Sequence, residues 1–162
     1  MLPPLFFYGF FLVCSVYALW RGGAPERAVA IAFLIAFVAT AAVNLPMARR
    51  FYTVSTGVFL VDLILFAILV VIAVKADRYW PLLVASLQAV TVAAHLAKFA
   101  DPELIRRAYS IMIAMWSYPQ LLLLVIGAVR HQERLRRTGT DPSWNDSWPS
   151  LIRASPVSGP KH

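Results

Sequence analysis

Residues 57–74 read GVFLVDLILFAILVVIAV, an apolar stretch in which the only charged side chain is that of Asp62. A helix of this length rises about 27 Å at 1.5 Å per residue, close to the thickness of a bilayer's hydrocarbon core. Unpaired backbone amides cost several kcal/mol each in hydrocarbon, which excludes open sheets and coil there and makes a helix the default conformation. The stretch therefore predicts a transmembrane helix.

Four more apolar stretches of similar length flank it, at about residues 4–20, 28–45, 80–97 and 109–129. The 162-residue chain is 60% hydrophobic and only 14% charged, a composition that excludes an ordinary soluble domain. The connections between the stretches are short, so consecutive helices are expected to be antiparallel neighbours. The predicted fold is an all-α membrane protein, with a five-transmembrane-helix antiparallel bundle over residues 1–137.

Basic residues near the span ends predict the orientation. With the amino terminus outside, eight of them would face the cytoplasm and five the outside. The first group is Arg21, Arg27, Lys75, Arg78, Arg130, Arg134, Arg136 and Arg137, and the second is Arg49, Arg50, Lys98, Arg106 and Arg107. We expect an integral protein of a bacterial inner (plasma) membrane, with its amino terminus outside and its carboxyl terminus in the cytoplasm.

The composition changes after the fifth span. Residues 130–137 extend the predicted helix with four arginines that can attract anionic headgroups. Residues 138–162 are rich in Pro and Ser and are expected to form a flexible cytoplasmic tail. A short helix in this tail would gather four apolar side chains on one side, either for interfacial adhesion or for docking a partner. These side chains are Trp144, Trp148, Leu151 and Ile152.

Small side chains recur at every fourth residue of two predicted spans. The fourth span carries Ala85, Ala89, Ala93 and Ala97, and the second carries Ala28, Ala32 and Ala36, followed by Thr40. Because small residues let helix backbones approach closely, we expect these two ladders to be helix-packing surfaces that match one another.

Polar residues on the fourth span form a separate stripe, which in lipid must find partners inside the bundle. Alternate threading brings this stripe to the depth of Asp62, and the sequence predicts a polar pocket there. Its members are Asp62, His95, Gln88, Thr91, Asn44, Tyr118 and Gln120. The Asp62–His95 pair could hold or relay a proton, or the two groups could simply satisfy each other. Alternatively, Asp62 could reach Arg49 or Arg50 at the membrane interface.

The sequence does not define one biochemical role. We expect a non-catalytic accessory or regulatory subunit of a membrane complex, associated with another membrane protein or with further copies of itself. The alternatives are a small transporter or proton-linked sensor at the polar pocket, and a membrane enzyme that acts on a lipid or quinone. No cofactor, metal site or catalytic residue set is predicted, and the net charge of +7 is attributed to headgroup contacts, not to nucleic acid.

Overall fold

The structure is a computed structural model that describes residues 4–43, 54–100, 106–139, 141 and 144, excluding the side chains of residues 4, 54, 55, 98–100 and 106–114. These residues form five helices, as the sequence predicted. They are α1 (Pro4–Arg21), α2 (Ala24–Val43), α3 (Val54–Lys75), α4 (Trp80–Ala100) and α5 (Arg106–Thr138). Within the described part, three segments are long and apolar enough to span a membrane, namely Ala24–Val43, Thr56–Lys75 and Trp80–Ala97.

The linker between α1 and α2 is shorter than the sequence predicted, because α2 begins at Ala24 and not at about residue 28. Pro25 lies in the first turn, where a helix needs no backbone N–H donor. The linker is then only Gly22 and Gly23. A Cβ atom on Gly22 would collide with the carbonyl oxygen of Ala18 and with the side chain of Glu26, so this turn requires glycine.

The last helix continues through the basic segment, as predicted, and ends at Thr138. Gly139 follows with a φ of 73°, the left-handed conformation that commonly terminates helices. Its N–H donates to the carbonyl of Leu135 at 3.0 Å. The chain can therefore turn back at Gly139 toward the bundle.

Consecutive helices pack side by side, and α1 also contacts α5, which closes the bundle. Because successive helices alternate in direction, two ends can be defined by the residues that meet there. At one end, which we call the Arg78 end, Arg78 meets Glu26 near the start of α2 and Asp141 beyond α5. Asp62 and His95 lie toward the opposite end, which we call the Asp62 end.

Between the two ends lies an apolar layer built by three helices. Leu65 and Leu69 of α3, Val84 of α4 and Leu124 of α5 are all buried in the main core cluster. On each helix, these residues lie between the Arg78 end and the Asp62 end. The bundle interior is therefore apolar at mid-height and polar toward both ends.

The outer surface of the helices is apolar as well. Ile35, Val38, Val71 and Leu82 are 62%, 64%, 54% and 57% exposed, and they belong to the three helices that are long enough to span. Soluble monomers rarely expose continuous apolar surface on this scale. The fold is compatible with a membrane protein, and the helical bundle of the prediction is confirmed.

Candidate functional site

Asp62 is the one charged residue in the interior of α3, and its side chain is 18% exposed. His95 of α4 places its Nε2 2.9 Å from Oδ2 of this carboxylate. The imidazole itself is almost fully buried, with the ring of Phe59 5.9 Å away between centroids. The structure thus brings together the acid and the imidazole that the sequence placed at one depth.

Gln88 of α4 holds the other carboxylate oxygen. Its Nε2 donates to Oδ1 of Asp62 at 3.1 Å and lies 3.3 Å from the Asp62 backbone oxygen. Gln88 and His95 are seven residues apart, which is close to two helical turns, and therefore share one face of α4. This spacing allows both side chains to reach a single residue of α3.

Gln120 of α5 completes a chain of amide hydrogen bonds. Its Nε2 donates to Oε1 of Gln88 at 3.1 Å, and both glutamines are buried. We call Gln120, Gln88 and Asp62 the amide chain. In both of these hydrogen bonds the amide N–H points toward the carboxylate end of the chain.

A cleft opens beside the amide chain. We call it the aromatic cleft, and its volume is about 200 Å³. Helices α1 and α2 supply one wall, rich in aromatic rings, whereas α3, α4 and α5 supply a wall that carries the polar groups. The lining residues are Phe7, Phe11, Phe33, Ala36, Phe37, Thr40, Asp62, Leu65, Gln88, Thr91, Ser117, Gln120 and Leu121.

The remaining residues of the predicted pocket have different positions. Thr91 is buried and lines the cleft, while its Oγ1 donates to the Leu87 carbonyl of its own helix at 3.4 Å. Tyr118 packs edge-on against Phe7, with ring centroids 5.4 Å apart. Asn44 lies outside the described residues. The aromatic wall was not predicted from the sequence. A phenylalanine that lines a cleft and one that packs in the core look the same in the sequence of an apolar helix.

The alanine ladders do not match each other as expected. Ala85 is buried, but Ala93 and Ala97 are exposed, because the polar stripe of α4 takes the face that points inward. In the described residues, α4 packs mainly on α3 and α5, and α2 packs on α1, α3 and α5. Of the ladder in α2, Ala32 is buried in the core and Ala28 and Ala36 pack against it. The prediction that the two ladders face one another was therefore wrong.

A second polar cluster lies at the Arg78 end. The guanidinium of Arg78 donates from Nη1 to Oε1 of Glu26 at 2.5 Å and from Nη2 to Oδ2 of Asp141 at 2.6 Å. The side chains of Arg78, Glu26 and Asp141 are 5%, 0% and 6% exposed. One arginine thus joins the start of α2, the connection before α4 and the chain beyond α5.

Two residues of α5 bind the same carboxylate. Nδ1 of His131 lies 2.5 Å from Oδ2 of Asp141, and Nε of Arg134 lies 3.1 Å from Oδ1. Burial works against ionisation of Asp141, but the hydrogen bond to His131 and the charges of Arg78 and Arg134 keep the pKa of its carboxyl below the ordinary value. We call Glu26, Arg78, His131, Arg134 and Asp141 the ionic cluster.

The predicted docking segment is described only at its beginning. The backbone of Trp144 forms an isolated antiparallel bridge with Ala76, next to the ionic cluster. The other residues of that segment, Trp148, Leu151 and Ile152, lie outside the described residues. Both the docking role and the flexibility of residues 138–162 stay predictions.

The described residues bring together no group of three or more His, Cys, Asp or Glu side chains that could hold a metal ion. Asp62 and His95 supply two potential ligands, and the third neighbour, Gln88, is an amide. Comparison with protein-family models, with curated proteins and with solved structures finds no match for the chain.

Proposed function

We propose that all five helices cross a bacterial inner membrane, with the amino terminus outside and the carboxyl terminus in the cytoplasm. The apolar outer surface and the excess of arginine at the Arg78 end support this topology, because basic residues are retained on the cytoplasmic side. Reporter fusions at the two termini test it. Reporters active in one and the same compartment would contradict an odd number of spans.

We infer that the chain is a non-catalytic regulatory subunit of a membrane complex, and that the Asp62–His95 pair is its sensing site. The observation that carries this proposal is the 2.9 Å contact between the two side chains inside the bundle. Ionisable groups within a membrane are costly and are usually retained for a function. An imidazole can carry its proton on either ring nitrogen, so the hydrogen bond between the two side chains can exist in more than one form.

The apolar layer favours a sensing role for the Asp62–His95 pair over a role in transport. Along α3, the residues that follow Asp62 toward the Arg78 end include the buried Leu65 and Leu69. Leu124 of α5 is fully buried at the same height. A proton or polar solute that reached Asp62 would face this layer, in which Ser15 of α1 is a single buried hydroxyl and not a continuous polar path in the described bundle. We therefore assign the pair to sensing and not to translocation.

Two exposed alanines of α4 provide a place for a partner. Ala93 and Ala97 are one helical turn apart on the lipid-facing side, with the exposed Leu96 beside them. Small residues on a lipid-facing helix permit close approach by another transmembrane helix. This surface lies on the same helix as His95, so a change at the pair can alter the position of a bound partner helix.

The test uses single variants of the pair. Asp62→Asn and His95→Gln should keep normal abundance but change the amount of partner that is isolated with the protein in mild detergent. Ser86→Ala is the matched control, because Ser86 is a polar residue of α4 that is exposed and bonds only locally, to the Leu82 carbonyl. If both variants retain the partner in the same yield as Ser86→Ala, the regulatory role of the pair is wrong.

A further inference from the structure

We propose that the aromatic cleft binds a small organic cation, an ammonium ion that carries an aromatic or alkyl body. This inference rests on the proposed function and names the chemical class of the signal at the same site. It is carried by the composition of the two walls, since one holds a carboxylate and the other holds four phenylalanine rings.

The polar wall presents negative charge to the cleft. The Asp62 carboxylate lines the cleft, and it is less buried than the imidazole, whose side chain is 2% exposed against 18% for the acid. A carboxylate has about four lone-pair sites, and His95 and Gln88 each approach a different oxygen. The carboxylate therefore retains acceptor capacity on the side that faces the cleft.

The aromatic wall complements a cation. The rings of Phe11 and Phe37 are stacked with centroids 5.0 Å apart, and Phe7 lies 6.3 Å from Phe11. Aromatic rings attract cations through their quadrupole, most strongly where water is excluded. A neutral apolar ligand would contact the rings but would make no charge contact with the carboxylate, whereas an ammonium ion uses both walls.

The polar neighbours of Asp62 match this ligand class. Thr91, Ser117 and Gln120 line the same cleft and can accept hydrogen bonds from an ammonium N–H or contact its alkyl groups. A volume of about 200 Å³ accommodates a compact ion. An anionic ligand would meet the Asp62 charge directly and is disfavoured.

The test compares a cation with its uncharged isostere. Full-length protein in an uncharged maltoside detergent is dialysed to equilibrium against labelled benzyltrimethylammonium, with protein-free micelles as the blank. We expect saturable binding, and neopentylbenzene, in which carbon replaces the charged nitrogen, should compete at least tenfold more weakly. Equal competition by the two compounds, or no saturable binding, would overturn the proposal without any variant.

Two variants then locate the site. Asp62→Asn should abolish the preference for the cation over the isostere. Phe11→Leu should weaken cation binding about 2- to 30-fold, the range of cation–π contributions from exposed to desolvated sites. Phe6→Leu is the matched control on the same helix, because Phe6 is 53% exposed and does not line the cleft. Equal losses from Phe11→Leu and Phe6→Leu would place binding elsewhere and refute the assignment.

The two proposals fail separately. If Asp62→Asn changes partner retention in cells but the wild-type protein binds no cation, the ligand class is wrong and the regulatory role stands. If the cation binds saturably but neither Asp62→Asn nor His95→Gln affects the partner, the cleft is a cation site without that role.

Discussion

Replacement of Arg78 by methionine should destabilise the bundle more than any other single charge removal at the Arg78 end. The guanidinium is 5% exposed and is bonded to a carboxylate at 0% exposure and to another at 6%. Methionine keeps much of the side-chain length but leaves both acids without this partner. Removing one member of a buried ion pair costs about 3–5 kcal/mol, mostly because the remaining charge is stranded.

Thermal unfolding in maltoside detergent measures this loss. For a chain of this size, about 3–5 kcal/mol corresponds to a fall in Tm of roughly 6–20 °C. Arg78→Lys should cost less, about 1.5–3 kcal/mol, because an ammonium keeps the charge but cannot reproduce the two-pronged contact with Glu26 and Asp141. The double variant Glu26→Leu/Arg78→Met should regain part of the loss, since it no longer buries the stranded Glu26 charge.

Arg130→Met is the control for a general effect of arginine removal. Arg130 is an exposed residue of α5 outside the ionic cluster, and its replacement should change stability by less than about 0.5 kcal/mol. If Arg78→Met and Arg130→Met unfold at the same temperature under one scan rate, the buried ion pairs of Arg78 do not stabilise the bundle and the prediction is refuted.

Three further predictions concern single positions. Gly127→Ala should cost about 1–3 kcal/mol, because the new Cβ would lie 2.8 Å from the Trp80 ring, whereas Gly9→Ala, with nothing within 4 Å, should be neutral or stabilising in the same melts. Gly139→Ala should cost about 1–2 kcal/mol, because its φ of 73° strains any residue with a Cβ, and an unchanged Tm would rule this out. The pKa of Asp141 is lowered in the folded protein, so its contribution to stability is present above the ordinary carboxyl pKa of about 3.9 and is lost as the pH falls through the lower, folded value. Asp141→Asn should therefore lower Tm at pH 7. Between pH 7 and pH 3, the Tm of this variant should fall less than that of the wild type. If Tm falls equally in both proteins, the stabilising role of the Asp141 carboxylate is refuted.

The Asp62–His95 contact could be predicted because two simple rules converge on it. Alternate threading relates depth in one span to depth in the next, and polar side chains in lipid must meet one another. The same rules explain why Gln88 and Gln120 join the site. The order and approximate length of the helices could be predicted from the apolar stretches alone. The start of α2 could not, because a proline such as Pro25 occurs both in loops and in the first turn of a helix.

The ionic cluster was missed because its members are distant in sequence and because Arg78 and Asp141 lie outside the helices. Arg78 is 52 residues from Glu26 and 63 from Asp141, and no periodicity relates these positions. One signal was present in the predicted topology, which places Glu26, Arg78 and Asp141 on the same side of the membrane. The prediction that the two ladders face one another was wrong for a different reason. Along the half of α4 that carries Ala93 and Ala97, the polar stripe faces the interior, because the cost of exposing its polar groups exceeds the gain from burying alanine.

The two polar clusters of the bundle therefore lie at two levels, with the apolar layer packed between them. Asp62 is 13 residues before Lys75, the last residue of α3, which is about 20 Å along a helix, so no direct contact links the two clusters. A structural effect of a cation or proton at Asp62 on the tail would travel as a movement of α3, α4 or α5 against the apolar layer. The close fit of Trp80 on Gly127 makes the α4–α5 contact sensitive to such a movement, because a small shift of either helix changes the space for the indole ring. A response that begins at the Asp62–His95 pair would thus reach Arg78 through the helix that carries both His95 and Trp80.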